Sequence, residues 1–529
     1  MKRINKIIAI LLLGATVVGC KKSFLDRPST TLISSANFYK TQADLRLATA
    51  NLYGGAPWWQ WQQPWLLLGD ALPGTAFYTY NGDIMQLYSR TITSQNSVVL
   101  SGWTGLYNVI GQCNTVISAI NQSTSGSLSP AIKNQAIAEA RFIRAMAYYH
   151  LAVYWGAVPI VTDNSVLVSN ALLNRNTVAD VYKFITIDLT FAAQNLPLKD
   201  QAGRVTTWSA QGLLGKVYLT MSGWGSTNGM RNQALLDSAA KYAGNVCKNS
   251  GLALFASYYD LFKVQNNNNP EDLFSLEWAP GVGYGYGNVL ETYYSPSALI
   301  NFGASGGWET LQPTWDLYMM YSAKDTVRRK ATIMRTGDHY PELDMADGGF
   351  TAGGNCMKKH IVGNNADNNS PTATVWSSPE DFAMLRLADV YLVYAEALLG
   401  NNTSTTNADA LTYFNMVRKR AGVDPALILT ADTIRRERRV ELAFEGQYWI
   451  DLVRWSYYQP AAAVAFLNAQ DANHDRQPFT YDPKTGIATR DTTAAPSATP
   501  ATINSYTLQI PASELSTDPK LAAAPVPYY

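Results

Sequence analysis

One long stretch decides the fold, and it reads Ser129-Pro130-Ala-Ile-Lys-Asn-Gln-Ala136-Ile-Ala-Glu-Ala140-Arg-Phe-Ile143-Arg-Ala-Met-Ala147-Tyr-Tyr-His-Leu151-Ala-Val-Tyr154-Trp-Gly156. Ser129 is a favourable N-cap, Pro130 suits the first turn of a helix, and Gly156 ends the pattern. Apolar residues recur between these ends at spacings of three and four, which places them on one helical face. The stretch therefore predicts a helix over 130–155 that packs through one stripe: Ala136, Ala140, Ile143, Ala147, Leu151 and Tyr154.

Comparable patterns along the rest of the chain predict a mainly α protein. The helical segments form four pairs with small residues along their stripes: 36–53/103–120, 130–155/177–195, 208–221/232–249 and 381–400/407–421. Such pairs are typical of a tetratricopeptide-like α-α superhelix, although their repeat period is irregular. A C-terminal segment, 432–529, begins with a further helix that runs from Asp432 to about Trp455. Strand signals are few and short, chiefly around Leu273–Trp278 and Tyr506–Ile510.

Two long polar segments, 54–100 and 265–378, interrupt the helices and form a large, loop-rich, irregular part of the fold. Structureless loops longer than about 15 residues are unusual in a compact domain and are often functional. Their tryptophans and tyrosines offer flat apolar surfaces with a polar handle, which suit the C–H face of a sugar ring. We therefore predict glycan contacts at Trp58, Trp59, Trp61, Trp65, Tyr78, Tyr80, Asn81, Tyr284, Tyr286 and Trp308. The alternative for any single aromatic residue is packing between a loop and the helical scaffold.

Composition narrows the classes of function. Charged residues are 15% of the 529, and 41 Lys and Arg against 40 Asp and Glu give a formal charge of +1. This balance argues against nucleic acid binding through a general basic field. The four cysteines and four histidines are scattered, which argues against a zinc site or a disulfide framework, and we predict no cofactor.

The first twenty residues predict the location of the protein. A basic start, Met1–Lys6, precedes an apolar run over 7–18 that is too short to span a bilayer comfortably. The run closes on Val17-Val18-Gly19-Cys20, which looks like a bacterial lipobox. We therefore predict a lipoprotein signal peptide over 1–19 and lipidation of Cys20, which would hold the mature chain at a membrane surface. The alternative is an ordinary signal peptide with a chance cysteine.

Three glutamates could be taken for a hydrolytic centre. Glu437, Glu441 and Glu445 recur every four residues and so share one helical face. A glycosidase instead needs two carboxylates that face each other across a sugar-binding cleft. The arginines between these glutamates predict ion pairs along the helix. We therefore predict that the protein is not an enzyme.

A second acidic grouping has the oxygen spacing of a calcium loop, with Asp471, Asn473 and Asp475 as candidate ligands. Arg476 stands where the sharp turn of such a loop needs glycine, and the bidentate glutamate is absent. A solvated polar turn is the alternative interpretation.

Several motifs, in this order, together resemble those of the SusD/RagB family of outer-membrane nutrient-binding lipoproteins. They are Cys20-Lys-Lys-Ser-Phe24-Leu25-Asp26, Ala138-Glu-Ala-Arg141-Phe-Ile-Arg144-Ala-Met-Ala-Tyr-Tyr149 with Tyr154-Trp-Gly156-Ala-Val-Pro159, Leu385-Arg386-Leu-Ala388-Asp389-Val-Tyr-Leu-Val-Tyr394-Ala395-Glu396-Ala397, Glu437-Arg438-Arg-Val-Glu441-Leu-Ala-Phe444-Glu445-Gly446 with Asp451-Leu-Val-Arg454-Trp455, and Ile510-Pro511-Ala-Ser-Glu514. The matches run from Cys20 to the C-terminus, so 20–529 is predicted to be one SusD-like domain.

The resemblance implies a helical body whose loop-rich remainder carries the ligand site. It also implies a lipoprotein at the outer face of the outer membrane that captures oligo- or polysaccharide and delivers it to a SusC-like TonB-dependent transporter barrel, which the helical pairs would face. The signature residues would then be scaffold: Arg141, Glu396, Glu437, Glu441, Glu445 and Asp451. Lys21-Lys22 departs from the acidic residues that often follow the lipidated cysteine in this family.

Two other classes of function stay open on the sequence. A secreted glycoside hydrolase would use the same aromatic loops to hold a sugar that it then cleaves. A tetratricopeptide-type scaffold would instead bind a peptide or another protein in its concave face.

Overall fold

A computed structural model describes residues 38–78, 81–282, 285–296, 311–493 and 498–529. The predicted signal peptide and the lipidation site at Cys20 lie outside these residues. Tyr80, Tyr284 and Trp308 of the predicted glycan contacts also lie outside them. Within the described ranges, no helix combines the length and the apolar character that crossing a membrane requires.

The fold is mainly α with few short strands, as predicted. The described residues contain eighteen α-helices, with these bounds: α1 Gln42–Ala50, α2 Gln62–Leu66, α3 Gly82–Ser89, α4 Ser97–Gln122, α5 Pro130–Trp155, α6 Val166–Ser169, α7 Val178–Asn195, α8 Thr207–Met221, α9 Gln233–Asn249, α10 Leu290–Tyr294, α11 Trp315–Met320, α12 Thr326–Thr332, α13 Leu387–Leu399, α14 Ala408–Arg420, α15 Ala431–Glu441, α16 Tyr448–Ser456, α17 Pro460–Ala472 and α18 Ala512–Thr517.

The strands of the described residues form five antiparallel pairs of two strands each. Their bounds are β1 Ala76–Phe77, β2 Asp272–Leu276, β3 Gln312–Pro313, β4 Ile333–Met334, β5 His339–Tyr340, β6 Phe350–Thr351, β7 Cys356–Met357, β8 Phe382–Arg386, β9 Phe479–Asp482 and β10 Ile487–Arg490. The pairs are β1 with β3, β2 with β8, β4 with β7, β5 with β6, and β9 with β10. The strand predicted near Leu273–Trp278 is β2, which confirms that prediction.

The long helices pack in chain order, each against the next. α4 contacts α5, α5 contacts α7, α7 contacts α8, α8 contacts α9, α9 contacts α13, and α13 contacts α14. This order is compatible with a tetratricopeptide-like array. The first predicted pair differs, however, because the short α1 packs on α5 as well as on α4.

Helix α5 forms where the sequence predicts it, but more of its surface is buried than predicted. The Ser129 hydroxyl accepts a hydrogen bond from the backbone N–H of Ile132, and Gly156, with a φ of 70°, ends the helix. From Ala136 to Trp155 every residue except Arg141 is buried, where the sequence predicts a single stripe. A helix buried on all sides lies inside the protein, so α5 is central and has packed helices on both flanks.

The segment predicted as one helix over 381–400 begins as a strand. Residues Phe382–Arg386 form β8, which pairs with β2, and α13 starts only at Leu387. Phe382 and Leu385 fit helical spacing, but the pairing with β2 buries both of them in an extended backbone. Tertiary pairing therefore overrides the local pattern.

The helix predicted from Asp432 to Trp455 is broken into α15 and α16. Phe444 and Gly446 have φ values of 61° and 69°, so the chain turns between the two helices. The Asp70 carboxylate accepts hydrogen bonds from both backbone N–H groups, at 2.9 and 2.8 Å. A β-carbon at Gly446 would lie 2.6 Å from Nε1 of Trp65, so the close approach requires glycine.

The strand predicted at Tyr506–Ile510 is wrong. Residues Ile503–Tyr506 form a turn of 3-10 helix, and the backbone N–H of Leu508 donates to the carbonyl of Tyr154. Nε1 of Trp155 also donates to the carbonyl of Gln509 at 3.2 Å, so two hydrogen bonds attach this segment to the end of α5 without a sheet.

The three glutamates of the predicted ion-pair network are buried and paired, but their partners come from other elements. Arg328 on α12 lies 2.6 Å from Glu437 and 3.2 Å from Glu441. Arg386 at the end of β8 donates two hydrogen bonds of 2.7 Å to Glu445. The network therefore ties elements together, where the sequence predicted pairs along one helix.

Glu396 on α13 has the same kind of environment. Its carboxylate lies 2.9 Å from Arg231 and 2.6 Å from Arg454, in a buried position. Burial alone raises the pKa of Glu396, but Arg454 and Arg231 outweigh it and lower the pKa to about 2. Arg386 and Lys359 likewise outweigh burial at Glu445 and lower its pKa to about 2.

These lowered pKa values predict a loss of stability in acid. A carboxyl group whose pKa is lower in the folded protein stabilises the fold above its unfolded value, which is 4.5 for Glu396. We expect the free energy of unfolding to fall as the pH drops from about 4.5 to about 2. In Glu396→Gln the fall should be shallower, because one of the titrating carboxyls is gone. Urea denaturation across this pH range measures it, with the exposed Asp237→Asn as the control. Equal slopes in Glu396→Gln and wild type would contradict the assignment.

Candidate functional site

An open cleft of about 480 Å³ lies between four separate parts of the chain, three from the loop-rich segments and one from the start of α4. Three aromatic side chains line it: Trp59, Tyr293 and Trp376. Four polar side chains accompany them: Gln60, Gln63, Ser97 and Ser101. Among the described residues that line the cleft, none carries a charge. The lining therefore suits a neutral ligand with both apolar and hydroxyl surfaces.

Short local structures hold the cleft residues in place. Trp59 starts a turn of 3-10 helix, Trp59–Trp61, that continues into α2 and then into one π-helical turn, Leu67–Ala71. Ser97 and Ser101 lie at the start of α4, where the Asn96 side chain caps the helix by accepting from the N–H groups of the first turn.

The other two aromatic residues come from the second long loop. Tyr293 lies on α10, and the side-chain oxygen of Asn288 accepts from the N–H of Leu290 at 2.8 Å where that helix begins. Trp376 lies in a tight turn that Thr374 and Ser377 close through two backbone hydrogen bonds.

Tyr293 and Trp376 form an edge-to-face pair with ring centroids 5.5 Å apart and an interplanar angle of 70°. Trp376 is 39% exposed, and Trp59 and Tyr293 are half-buried. Exposed rings of this kind can cover the C–H face of a sugar, while amides and hydroxyls at the edge reach its hydroxyl groups. The cleft therefore has the chemistry of a neutral-sugar site.

The side chains of Trp58, Trp61 and Trp65, at which the sequence predicts glycan contacts, are fully buried in the core. Nε1 of Trp58 donates to the carbonyl of Leu52 at 2.8 Å, and Trp65 stacks on Phe382 with ring centroids 4.4 Å apart. The three follow a spacing of three and four, which is the signature of a buried helical face. That signal could have separated them from Trp59, which is off this face and lines the cleft.

The other described residues of the prediction have mixed positions. Tyr78 and Tyr286 are half-buried and are not among the residues that line the cleft. The Asn81 side chain is the N-cap of α3 and accepts hydrogen bonds from the N–H groups of Asp83 and Ile84. The predicted contacts include neither Tyr293 nor Trp376, both of which line the cleft. A lone tryptophan in a polar segment carries no pattern that the sequence analysis could use.

At the candidate calcium ligands Asp471, Asn473 and Asp475, arginine side chains pair with both carboxylates. Asp471 pairs with Arg90 and Arg476, and Asp475 lies 3.0 Å from Arg490. Arg490 also donates to the backbone carbonyl of Asn473. Nowhere in the described ranges do three or more His, Cys, Asp or Glu side chains cluster so that they could hold a metal ion.

Comparisons with known proteins agree with this architecture. Residues 330–529 match the model of the SusD family, and residues 35–219 match the model described as "Starch-binding associating with outer membrane". A SusD-like protein of Bacteroides ovatus is 38% identical over 470 residues, which cover 88% of this chain and 85% of that protein. The chain belongs to the SusD family.

A further relative and a solved structure extend the match. SusD-like protein P2 of Formosa agariphila is 28% identical over 90% of this chain and 95% of its own length. A crystal structure with a xylogluco-oligosaccharide shares 35% identity with this SusD-family chain, at a TM-score of 0.83 over 92% of this chain and 99% of that one. The resemblance carried by the sequence motifs is thereby confirmed. Five of the six signature residues are buried: Glu396, Glu437, Glu441, Glu445 and Asp451.

The burial of the tryptophans predicts different effects of neighbouring substitutions. Trp58→Ala should lower the free energy of unfolding by about 3–5 kcal/mol, because it leaves a cavity in the core. Trp59→Ala, at a half-buried position, should cost about 1–2 kcal/mol. Urea denaturation of both variants measures the difference. A Trp58→Ala variant as stable as Trp59→Ala would contradict the placement of Trp58 in the core.

Proposed function

We propose that this SusD-family protein binds a neutral oligosaccharide in the cleft formed by Trp59, Tyr293 and Trp376. The observation that carries the proposal is the edge-to-face pair of the half-buried Tyr293 and the exposed Trp376. Amide and hydroxyl groups lie beside this pair, and the described lining contains no charged side chain. The related structure with a xylogluco-oligosaccharide supports a ligand of this chemical class.

We propose further that the sugar is bound without being cleaved. Glycosidases place two carboxyl groups on either side of the bond that breaks. None of the described cleft residues is a carboxylate. Glu437, Glu441 and Glu445 are each held by buried cationic side chains, so they serve the fold and are withdrawn from a sugar.

The proposed place of action is the outer membrane. The basic start, the apolar run and Cys20 support a lipid anchor at the N-terminus. The name of the family model that matches 35–219 supports an association with the outer membrane. We propose that the protein faces outward there and hands its sugar to a SusC-like TonB-dependent transporter. Affinity purification of the anchored protein from outer membranes tests this pairing, and recovery without such a barrel would count against it.

The sugar site predicts that Trp376→Ala weakens binding by about tenfold, because an aromatic platform contributes roughly 1–2 kcal/mol. Calorimetry with a xylogluco-oligosaccharide and a malto-oligosaccharide measures the affinity. Trp224→Ala is the matched control, since Trp224 is 43% exposed and lies after α8, away from the cleft. Equal losses in the two variants would contradict the site. The oligosaccharide recovered after incubation should have its original length, and shortened products would favour a hydrolase.

The proposed anchor predicts that Cys20→Ser moves the protein from the membrane fraction to the soluble fraction when it is expressed in a bacterium that makes lipoproteins. The lipid chains, which hold an anchored protein at the bilayer, would be lost. Cys247→Ser, at a half-buried cysteine of α9, is the control and should stay in the membrane fraction. Retention of Cys20→Ser at the membrane would reject the lipid anchor.

A further inference from the structure

A set of buried polar groups lies beneath the cleft and outside its lining. Five side chains belong to this set, each at most 1% exposed: Gln62, Asp70, Asn288, His360 and Glu380. They come from the same parts of the chain that carry the cleft aromatics, or from segments in contact with those parts. Buried polar groups of this kind are costly unless each finds a partner, so their connections are informative.

Gln62 joins the first aromatic segment to the second. Its side-chain oxygen accepts from the backbone N–H of Val289 at 3.0 Å, and its amide nitrogen donates to the carbonyl of Gly287 at 3.4 Å. Gln62 is next to Gln63 in the cleft, and Val289 lines the cleft itself. The pair of bonds therefore fixes the segment of Trp59 against the segment of Tyr293.

Asn288 joins the second aromatic segment to the third. Its backbone exchanges two hydrogen bonds with Ser378, at 2.9 and 2.8 Å. Its side-chain nitrogen donates to Oε2 of Glu380 at 2.7 Å. Ser378 follows closely after Trp376, so this bridge sets the position of Trp376 relative to Tyr293.

His360 connects the third segment back to the first. Its Nδ1 lies 2.8 Å from Oε1 of Glu380, and its Nε2 lies 2.7 Å from the carbonyl oxygen of Phe444. The N–H of Phe444 donates to Asp70, which lies in the π-helical turn that continues from α2. Because α2 begins at Gln62, the connections form a closed ring. We call Gln62, Asn288, Glu380, His360, Phe444 and Asp70 the cleft ring.

The contacts of His360 define its charge. A carboxylate and a backbone carbonyl only accept hydrogen bonds, so these two contacts fit an imidazole that carries a proton on both ring nitrogens. Glu380 is the acidic side chain in contact, and it also accepts a hydrogen bond from the side-chain nitrogen of Asn288. Lys359 is the nearest cation, and its ammonium lies 2.8 Å from Glu445. The rings of Trp65 and Phe382 are the edge-to-face neighbours, so no charge comes from that side.

The balance of these groups favours the imidazolium. Burial and Lys359 lower the pKa of His360, but the contact with Glu380 and the carbonyl of Phe444 outweigh them and raise the pKa above its ordinary 6.5. The doubly protonated His360, with both of its hydrogen bonds, is therefore fully populated below pH 6.5. It is lost as the pH rises through the raised pKa of His360. Burial raises the pKa of Asp70, the other titrating member of the ring, to about 6.

We propose that the cleft ring positions the three aromatic segments for binding, and that it is closed only while His360 is doubly protonated. This inference rests on the proposed sugar-binding function. His360, Glu380 and Gln62 are positioning residues, since none of them lines the cleft. Deprotonation turns one of the two contacts of His360 into a meeting of two acceptors, which opens the ring on one side and loosens Trp376 or α2.

The charge of His360 is tested directly by nitrogen-15 NMR of the imidazole rings in the unliganded protein. The chain has only four histidines, so comparison with His360→Gln assigns the signal. We expect both nitrogens of His360 to be protonated at about pH 7, with a titration midpoint above 6.5. A spectrum in which only one of the two nitrogens is protonated would overturn the proposal.

The positioning role is tested by binding of the xylogluco-oligosaccharide and the malto-oligosaccharide above about pH 7, where Asp70 is ionised. Wild-type affinity should fall about five- to tenfold as the pH passes the midpoint of His360, since one buried hydrogen bond is lost. His360→Gln should bind that much more weakly at the starting pH and show no further change. His339→Gln, at an exposed histidine on β5, should keep the wild-type profile. In the double variant His360→Gln/Glu380→Gln, an amide pair can restore the contact and should recover affinity without the pH dependence.

The outcomes separate this proposal from the function on which it rests. If wild type binds sugar with an affinity that does not change with pH, and His360→Gln binds equally well, the ring proposal fails and the sugar function stands. If wild type binds neither sugar, the sugar function fails, and hydrogen exchange of the Val289 and Ser378 amides decides the ring. Faster exchange in His360→Gln than in His339→Gln supports it, and equal exchange overturns it. If His360→Gln does not fold, the wild-type NMR titration and pH profile decide.

Discussion

The structure depends on a buried network of ion pairs around Glu441. Arg328, Arg386 and Arg420 all reach this one carboxylate, from α12, from the end of β8 and from the end of α14. Charges buried in this way cost free energy, which only close partners offset, and removing one partner typically costs about 3–5 kcal/mol. The elements therefore have one relative arrangement in which every charge is matched. The helical array and the loop-rich part of the fold meet at this network.

The cleft and the network depend on the same region of the chain. Residues Leu442–Gln447 link α15, which carries Glu437 and Glu441, to α16. The backbone N–H groups of Phe444 and Gly446 in this link donate to the Asp70 carboxylate. Asp70 lies in the π-helical turn that follows α2, and α2 begins just after Trp59. The loops that carry the cleft aromatics are therefore held by hydrogen bonds to residues of the core. Binding residues on loops that a rigid scaffold positions are a common arrangement in proteins.

The sequence predicted the parts of the fold that local chemistry controls. The bounds of α5, α8 and α9 follow from caps, spacing and stop residues, and the structure agrees with them within one residue. The sequence was less informative where an element depends on a contact with residues that are distant in the chain. Phe382–Arg386 has helical spacing but forms a strand because β2 lies beside it, and the helix after Asp432 breaks because Asp70 binds its turn. Neither partner is visible in a local window of sequence.

The candidate site divides in the same way. The sequence by itself determined the family, the helical frame and an aromatic-rich loop, since these depend on residue order, spacing and composition. Only the tertiary structure decided which aromatics lie in the core and which line the cleft: it buries Trp58, Trp61 and Trp65, and it brings Trp59 together with Tyr293 and Trp376. The physical reason is that burial and the meeting of segments more than 80 residues apart depend on long-range packing, which local periodicity does not contain.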